Sequence, residues 1–244
     1  MTARATGKIC KLMMCSGLVL SSICWSNAAS AQGSGSDLSP PPALDLSFNV
    51  GVVSDYRFRG VSFSDRDPAL QGGVDLYHQS GFFAGAWATT IEEYAGSDVE
   101  LDLYGGYAGE AGGLEYSASL YYYAYPGGND VNYLELQGIV GKTIGPAQVE
   151  MVMAFTPDQD NAVDNLYLGA GASVGIPNTP YTVNLRGGRE NGAYDNKWDW
   201  EAGISYSRDW LTISASYVDT NYSGINEAGR NGRAGFLASA IASF

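Results

Sequence analysis

From Leu44 to Phe58 the chain alternates without a break. Leu44, Leu46, Phe48, Val50, Val52, Ser54, Tyr56 and Phe58 fall on one phase, and Asp45, Ser47, Asn49, Gly51, Val53, Asp55 and Arg57 on the other. Successive Cβ atoms of an extended chain point to opposite sides, so a period of two held over this length predicts a β-strand with one apolar and one polar face. A helix would scatter the same residues around its axis. The run is also longer than the ~5–6 residues of a usual strand. About ten residues rising ~3.3 Å each, tilted by ~40°, cross the ~25 Å apolar band of an outer-membrane barrel. The stretch therefore predicts an all-β fold, an antiparallel transmembrane β-barrel of outer-membrane type, if the rest of the chain supplies more such strands.

Eleven further stretches answer that requirement: 69–78, 82–91, 98–108, 114–125, 131–142, 147–156, 165–176, 181–189, 198–207, 210–218 and 233–244. Val99, Leu101 and Leu103 interleave with Asp98, Glu100 and Asp102, and Leu166, Leu168, Ala170, Ala172 and Val174 with Asn165, Gly169, Gly171 and Ser173. Twelve is an even count, as closed barrels of this kind require. The links alternate in length, with residues 79–81 and 208–209 short and residues 59–68, 92–97, 157–164, 190–197 and 219–232 long. Short turns on one rim and long loops on the other are the asymmetry of an outer-membrane barrel, and a soluble sandwich has no cause to sort its loops so. Trp198, Trp200 and Trp210 stand at expected strand ends, where amphipathic rings suit a bilayer interface.

The ends and the composition narrow the class. Arg4, Lys8 and Lys11, an apolar run over 12–25 and the small-x-small triplet Ala29-Ser30-Ala31 predict a secretory signal peptide over 1–31. A flexible leader rich in Gly, Ser and Pro follows over 32–43, and the barrel is expected over 44–244. The signal segment holds all three cysteines, Cys10, Cys15 and Cys24, so a disulfide scaffold is excluded. It also holds three of the 13 Lys+Arg and none of the 26 Asp+Glu, which leaves 10 basic against 26 acidic residues and a net charge of −16. Nucleic acid is excluded as a partner on that balance, because phosphate binding needs Lys and Arg. No later segment offers the ~20 apolar residues of a membrane helix. A closed barrel is then the remaining way to pair every backbone amide in lipid.

The block Val53-Ser54-Asp55-Tyr56-Arg57-Phe58-Arg59-Gly60-Val61-Ser62, followed by Asp67-Pro68-Ala69-Leu70-Gln71-Gly72-Gly73, resembles the opening of the TorF-like porin family, also catalogued as the Gcw_chp family. The resemblance implies an outer-membrane barrel with channel activity and carries no catalytic residues. It places the chain in the outer membrane of a Gram-negative bacterium, among lipid and lipopolysaccharide. The terminal Phe244, in phase with Ala242, Ala240, Ala238 and Phe236, resembles the signal read by the barrel-assembly machinery.

Enzymatic chemistry finds little to work with. His78 is the only histidine, so a Ser–His–acid site would have to use it, and it falls beside an expected short turn, where an interfacial histidine suffices as explanation. Zinc lacks its Cys and His ligands. The acidic loop 158–164 invites calcium, but an EF-hand would want Gly sixth and Glu twelfth, where Val163 and Gly169 stand. No cofactor and no metal site is expected. The glycine pairs Gly105-Gly106 and Gly187-Gly188 lie within strands, where they allow curvature or close packing.

What remains is passage of small hydrophilic solutes, with a non-conducting structural or adhesion barrel as the alternative. Lipid must take the apolar phase, so the polar phase faces inward. The pore-lining candidates are Asp45, Asp55, Arg57, Glu100, Asp102, Glu115, Glu150, Arg186 and Glu201. Carboxylates dominate this set, which predicts a preference for cations. Two arrangements compete for the block 55–60. In the favoured one Tyr56 and Phe58 anchor the outer interface while Asp55 pairs with Arg57 or Arg59 at the mouth; in the other the two arginines form a constriction.

Overall fold

The computed structural model describes residues 43–160 and 162–244. The expected signal peptide with its cysteines, and the leader up to residue 42, lie outside the described residues. Fourteen strands follow one another: β1 (Leu44–Val53), β2 (Arg57–Phe58), β3 (Val61–Ser62), β4 (Ala69–His78), β5 (Phe82–Tyr94), β6 (Ser97–Ala111), β7 (Leu114–Ala124), β8 (Tyr133–Ile144), β9 (Ala147–Thr156), β10 (Asn165–Gly175), β11 (Tyr181–Asn191), β12 (Lys197–Arg208), β13 (Leu211–Thr220) and β14 (Gly235–Ser243). All but β2 and β3 form one closed antiparallel barrel of twelve strands, each paired with its neighbours in sequence and β1 with both β4 and β14.

The alternation read from the sequence is the physical cause of the closure. On β1 the side chains of Leu44, Leu46, Phe48, Val50 and Val52 are exposed while those between them are half-buried. The same division holds along β9, where Met151 is 71% exposed and Ala154 fully buried. An exposed belt of this composition is stable only against lipid, and ring closure gives every wall strand a neighbour on both sides there.

Chain direction sorts the connections. Residues 79–81, 112–113, 145–146, 176–180 and 209–210 turn at one rim, and residues 54–68, 95–96, 125–132, 157–160 with 162–164, 192–196 and 221–234 at the other. The expected long loop over 92–97 is absent. β5 and β6 run on to Tyr94 and Ser97, joined by Ala95-Gly96, both at positive φ (54° and 98°). Two consecutive positive φ values make the primed turn whose twist matches its strands, so the strands need no longer link. The stretch 190–197 is shorter as a loop than expected, because Glu190 and Lys197 are strand residues of β11 and β12.

The largest departure concerns the opening stretch. β1 ends at Val53, and the alternating residues beyond it leave the wall. Residues 54–68 fold inward, with β2 and β3 as a small hairpin paired Arg57 to Ser62 and Phe58 to Val61. Its two-residue tip, Arg59-Gly60, has φ of 47° and 87°, again a primed turn. Tyr56 and Phe58 therefore do not anchor a lipid interface. They are buried inside the barrel with Val53, Phe83, Trp87, Tyr104, Tyr121 and Tyr123, where each large ring contributes ~1.5–3 kcal/mol on burial.

The lumen is consequently lopsided. On the β4 to β8 side it is packed with aromatic rings, Tyr121 stacking on Tyr104 and Tyr123, and Tyr123 on Tyr133. On the other side the inward positions are small and polar. Ser173 meets Asn184, Asn184 meets Ser205, and Ser214 meets Ser239 at 2.9, 3.2 and 2.6 Å. The barrel closes at a short seam: β14 pairs with β1 only over Asn49–Val53, extended by reciprocal backbone bonds between Phe48 and Phe244, whereas β4 pairs with β1 along all of Leu44–Val53.

Candidate functional site: the hairpin across the lumen

The hairpin leaves the wall between β1 and β4, which are neighbours in the ring. Its tip ends at Glu135 on β8, four strands round from β4 in one direction, and at Glu190 on β11, four strands from β1 in the other. It thus crosses the lumen to the far wall. There the Arg59 guanidinium donates from Nη2 to both oxygens of Glu135 at 2.9 and 2.8 Å, and from Nη1 to Oε1 of Glu190 at 2.7 Å. Its plane lies against the rings of Tyr167 and Phe58, 4.5 and 4.6 Å from the centroids. Charge-assisted contacts and ring faces of this kind suit a planar guanidinium.

The wall is prepared for that cation. Tyr123 and Thr156 donate their hydroxyls to Glu135 at 3.2 and 3.3 Å. Asn165 donates to Glu190 Oε1 at 2.7 Å, and Lys197 lies 2.6 Å from Oε2 of the same carboxylate. Lys197 also donates to the Arg59 carbonyl at 2.7 Å, so the hairpin backbone is held as well as its side chain. Two cations and two carboxylates, each about 1% exposed, make a buried quartet of zero net charge. Burial by itself would lower the Arg59 pKa, but the carboxylates of Glu135 and Glu190 reverse that and hold it well above the ordinary value. Arg59 is therefore a permanent cation.

Tyr56 fixes the near half of the hairpin. Its hydroxyl donates to Glu100 at 2.5 Å, and the Tyr125 hydroxyl donates to the other oxygen of Glu100 at 3.0 Å. Burial, then the nearby Glu100 and Asp102, push the Tyr56 phenol well above its ordinary pKa. Arg57 pairs with Asp55 at 2.7 Å, as one of the two arrangements expects, and also donates to the Arg233 carbonyl at 2.8 Å. Arg66 donates to the carbonyls of Arg230, Arg233 and Ala234. The hairpin is so tied to loop 221–234, which carries a 3-10 turn over Gly229–Gly232.

The other candidates all take inward positions but are not one constellation. Arg186 pairs with Glu201 at 2.7 Å and approaches Asp199 at 3.4 Å, and Asp199 in turn accepts from Tyr167. Asp102 lies next to Glu100 along the same face of β6, with its Oδ1 bound to nothing among the described residues. Glu150 sits at mid-wall on β9, opposite Gly141 and Gly171. Asp45 and Glu115 lie near the short-turn rim, Asp45 paired in register with Tyr77. His78 is exposed at that rim and closes its own turn onto Ser80 at 2.6 Å. Among the described residues no group of three or more His, Cys, Asp or Glu is placed to hold a metal ion. Glu135, Glu190 and Lys197 were not among the candidates, and Asp75, hydrogen-bonded by Tyr104, was also missed.

A family model described as "Bacterial protein of unknown function (Gcw_chp)" matches residues 38–242. The chain belongs to the Gcw_chp family. No curated protein sequence matches it. Among solved structures the Gcw_chp barrel is similar to the KdgM porin, at 8% identity and a TM-score of 0.59, covering 81% of this chain and 99% of that one. It is similar also to the NanC porin, at 10% identity and 0.55, covering 81% and 98%. At such identities the likeness establishes a shared barrel fold, and the porins' own activities do not transfer with it.

Proposed function

We propose that this chain is a TorF-like porin of the Gram-negative outer membrane, which passes small hydrophilic solutes passively, favours cations and catalyses no reaction. One observation carries the proposal: the inward wall has more carboxylates than cations to match them. Arg57, Arg59, Arg186 and Lys197 are all engaged by carboxylates. Among the described residues the ion pairs leave out Asp75, Glu100, Asp102, Glu115 and Glu150, every one on an inward phase; Asp75, Glu100 and Asp102 are buried, and Glu115 and Glu150, half-buried, are the ones that meet solutes. Fixed negative charge in a narrow low-dielectric tube attracts cations and repels anions. Twelve strands fall between the filled eight-stranded barrel and the wide channel of sixteen to eighteen. The exposed belt fits contact with lipid and lipopolysaccharide. Phe244, its ring exposed beside Trp210, is the residue the assembly machinery would read.

The hairpin across the mouth favours a second reading, a non-conducting barrel that displays loop 221–234. Planar-bilayer recording separates the two, since folded protein that gives no current steps supports the second. Reversal potentials across a salt gradient then test selectivity. Cation preference that shrinks in Glu150→Gln and Glu115→Gln supports the proposal, and anion preference refutes it.

A further inference from the structure

We infer that the seat made by Glu135, Glu190 and Tyr167 is a binding site for the guanidinium group of a solute, held in this conformation by the chain's own Arg59. The inference deepens the channel reading, and rests on it for the route by which a solute arrives. It names the solute class and makes solute capture and release of the hairpin one event.

Three features of the seat point to a replaceable ligand. Its components belong to the wall rather than to the hairpin: Glu135 on β8, Tyr167 on β10 and Glu190 on β11, with the supporting donors Tyr123, Thr156, Asn165 and Lys197 also on barrel strands. When Arg59 leaves, the carboxylates and the ring stay in place. The shape is that of a guanidinium rather than an ammonium. Two nitrogens of one planar cation divide the seat between them, Nη2 on both oxygens of Glu135 and Nη1 on Glu190 Oε1, while a ring covers the flat face, an arrangement the single nitrogen of a lysine head does not reproduce. Finally, the tethered occupant fits incompletely. The Arg59 Nε–H, in a side chain 1% exposed, has no acceptor. A free guanidinium is not bound to a backbone and can turn to use that donor.

Charge fixes the sign of the ligand. With Arg59 withdrawn, Glu135 and Glu190 face Lys197 alone, and a buried carboxylate left unmatched is strongly unfavourable. A guanidinium-bearing solute restores the balance. The hairpin, deprived of its far anchor, then keeps its near contacts through Tyr56, Arg57 and Arg66.

The test is calorimetric, so that it does not depend on conduction. Methylguanidinium is titrated into the folded Arg59→Ala barrel in detergent, with methylammonium at equal concentration as the comparison. Heat-modifiable migration on a gel establishes that the variant is folded. Saturable binding of methylguanidinium, at least tenfold tighter than methylammonium and weakened at least tenfold when Glu190→Gln is added, is the expected result. A folded Arg59→Ala barrel that shows no saturation, or binds the two cations alike, overturns the inference. If Arg59→Ala fails to fold, hydrogen exchange of the wild-type chain decides instead. Methylguanidinium must then speed exchange at the Phe63 amide, which bonds to the Tyr56 carbonyl, more than methylammonium does, and equal rates overturn the inference. Binding without any bilayer current would sink the channel reading alone, and current without binding would sink the seat alone.

Discussion

Replacing Glu135 by glutamine keeps the shape of the seat and removes one charge. The buried quartet of Arg59, Lys197, Glu135 and Glu190 then carries a net +1, and two short contacts to Arg59 lose their ionic partner. Hydrogen bonds to charged groups contribute ~1.5–3 kcal/mol each. Breaking a buried pair by removing one partner costs ~3–5 kcal/mol. Because the quartet lies toward the mouth of the barrel, the low end is appropriate, about 3 kcal/mol, which is about a hundredfold in an equilibrium constant. The cost falls on docking of the hairpin rather than on the barrel, since the ladders between neighbouring strands do not pass through Glu135's side chain. Hydrogen exchange measured by mass spectrometry on the detergent-folded protein should show residues 56–64 losing about a hundredfold in protection in Glu135→Gln while β9 and β10 stay unchanged. Unchanged protection in the single variant would refute the charge balance as the cause of docking.

Three other outcomes are expected. In Gly188→Ala the new Cβ would meet the Tyr167 ring, whose Cζ lies 2.2 Å from its position; overpacking costs ~1–3 kcal/mol, and exchange at residues 56–64 should rise because Tyr167 no longer supports Arg59. Met151→Arg puts a charge on the lipid face at mid-strand and should cost ~2–4 kcal/mol, read as a lower midpoint in urea-driven unfolding from vesicles, with inward Glu150→Gln far milder. Burial chiefly, then Glu190, pushes the Tyr194 phenol up to about 12. Its contribution to the order of loop 192–196 is complete below the unfolded value of ~10 and is lost as pH rises through about 12, so a tyrosinate absorbance step there should vanish in Tyr194→Phe.

Strand existence was legible because one face meets lipid: Leu44, Leu46 and Phe48, or Leu166 and Leu168, announce themselves by period alone. The end of β1 was not. The residues after Val53 stay extended on entering the hairpin, so Ser54, Tyr56 and Phe58 keep the phase of a wall they have left. Period reports extended backbone and says nothing of which sheet it joins. Only the glycine at Gly60, where φ is 87°, hinted that the chain turns back there. The Arg57 and Arg59 block was singled out, but its partners were hidden for two reasons. Glu135 sits in a strand whose alternation is ordinary, and Glu190 and Lys197 resembled loop residues because they flank a polar stretch. No local signal pairs Arg59 with Glu190, since a ring of strands alone brings them together.

The short seam between β1 and β14 has a mechanical consequence. Every other wall junction joins consecutive strands of the barrel and zips from a turn or a loop, whereas this one brings together the first and last strands of the barrel and gains the pairing over Asn49–Val53, the Phe48–Phe244 clasp and the contact of Ser54 with Ala238. Loop-closure entropy is greatest for such a distant pair. The seam must be the last part of the cylinder to knit during assembly and the first to part under sideways tension. Leu44, Asp45, Leu46 and Ser47 extend past it with one edge unladdered by β14, so a split would start beneath Phe48 and run towards the mouth until it met the Ser54 amide, which bonds to the Ala238 carbonyl and closes the crack from above.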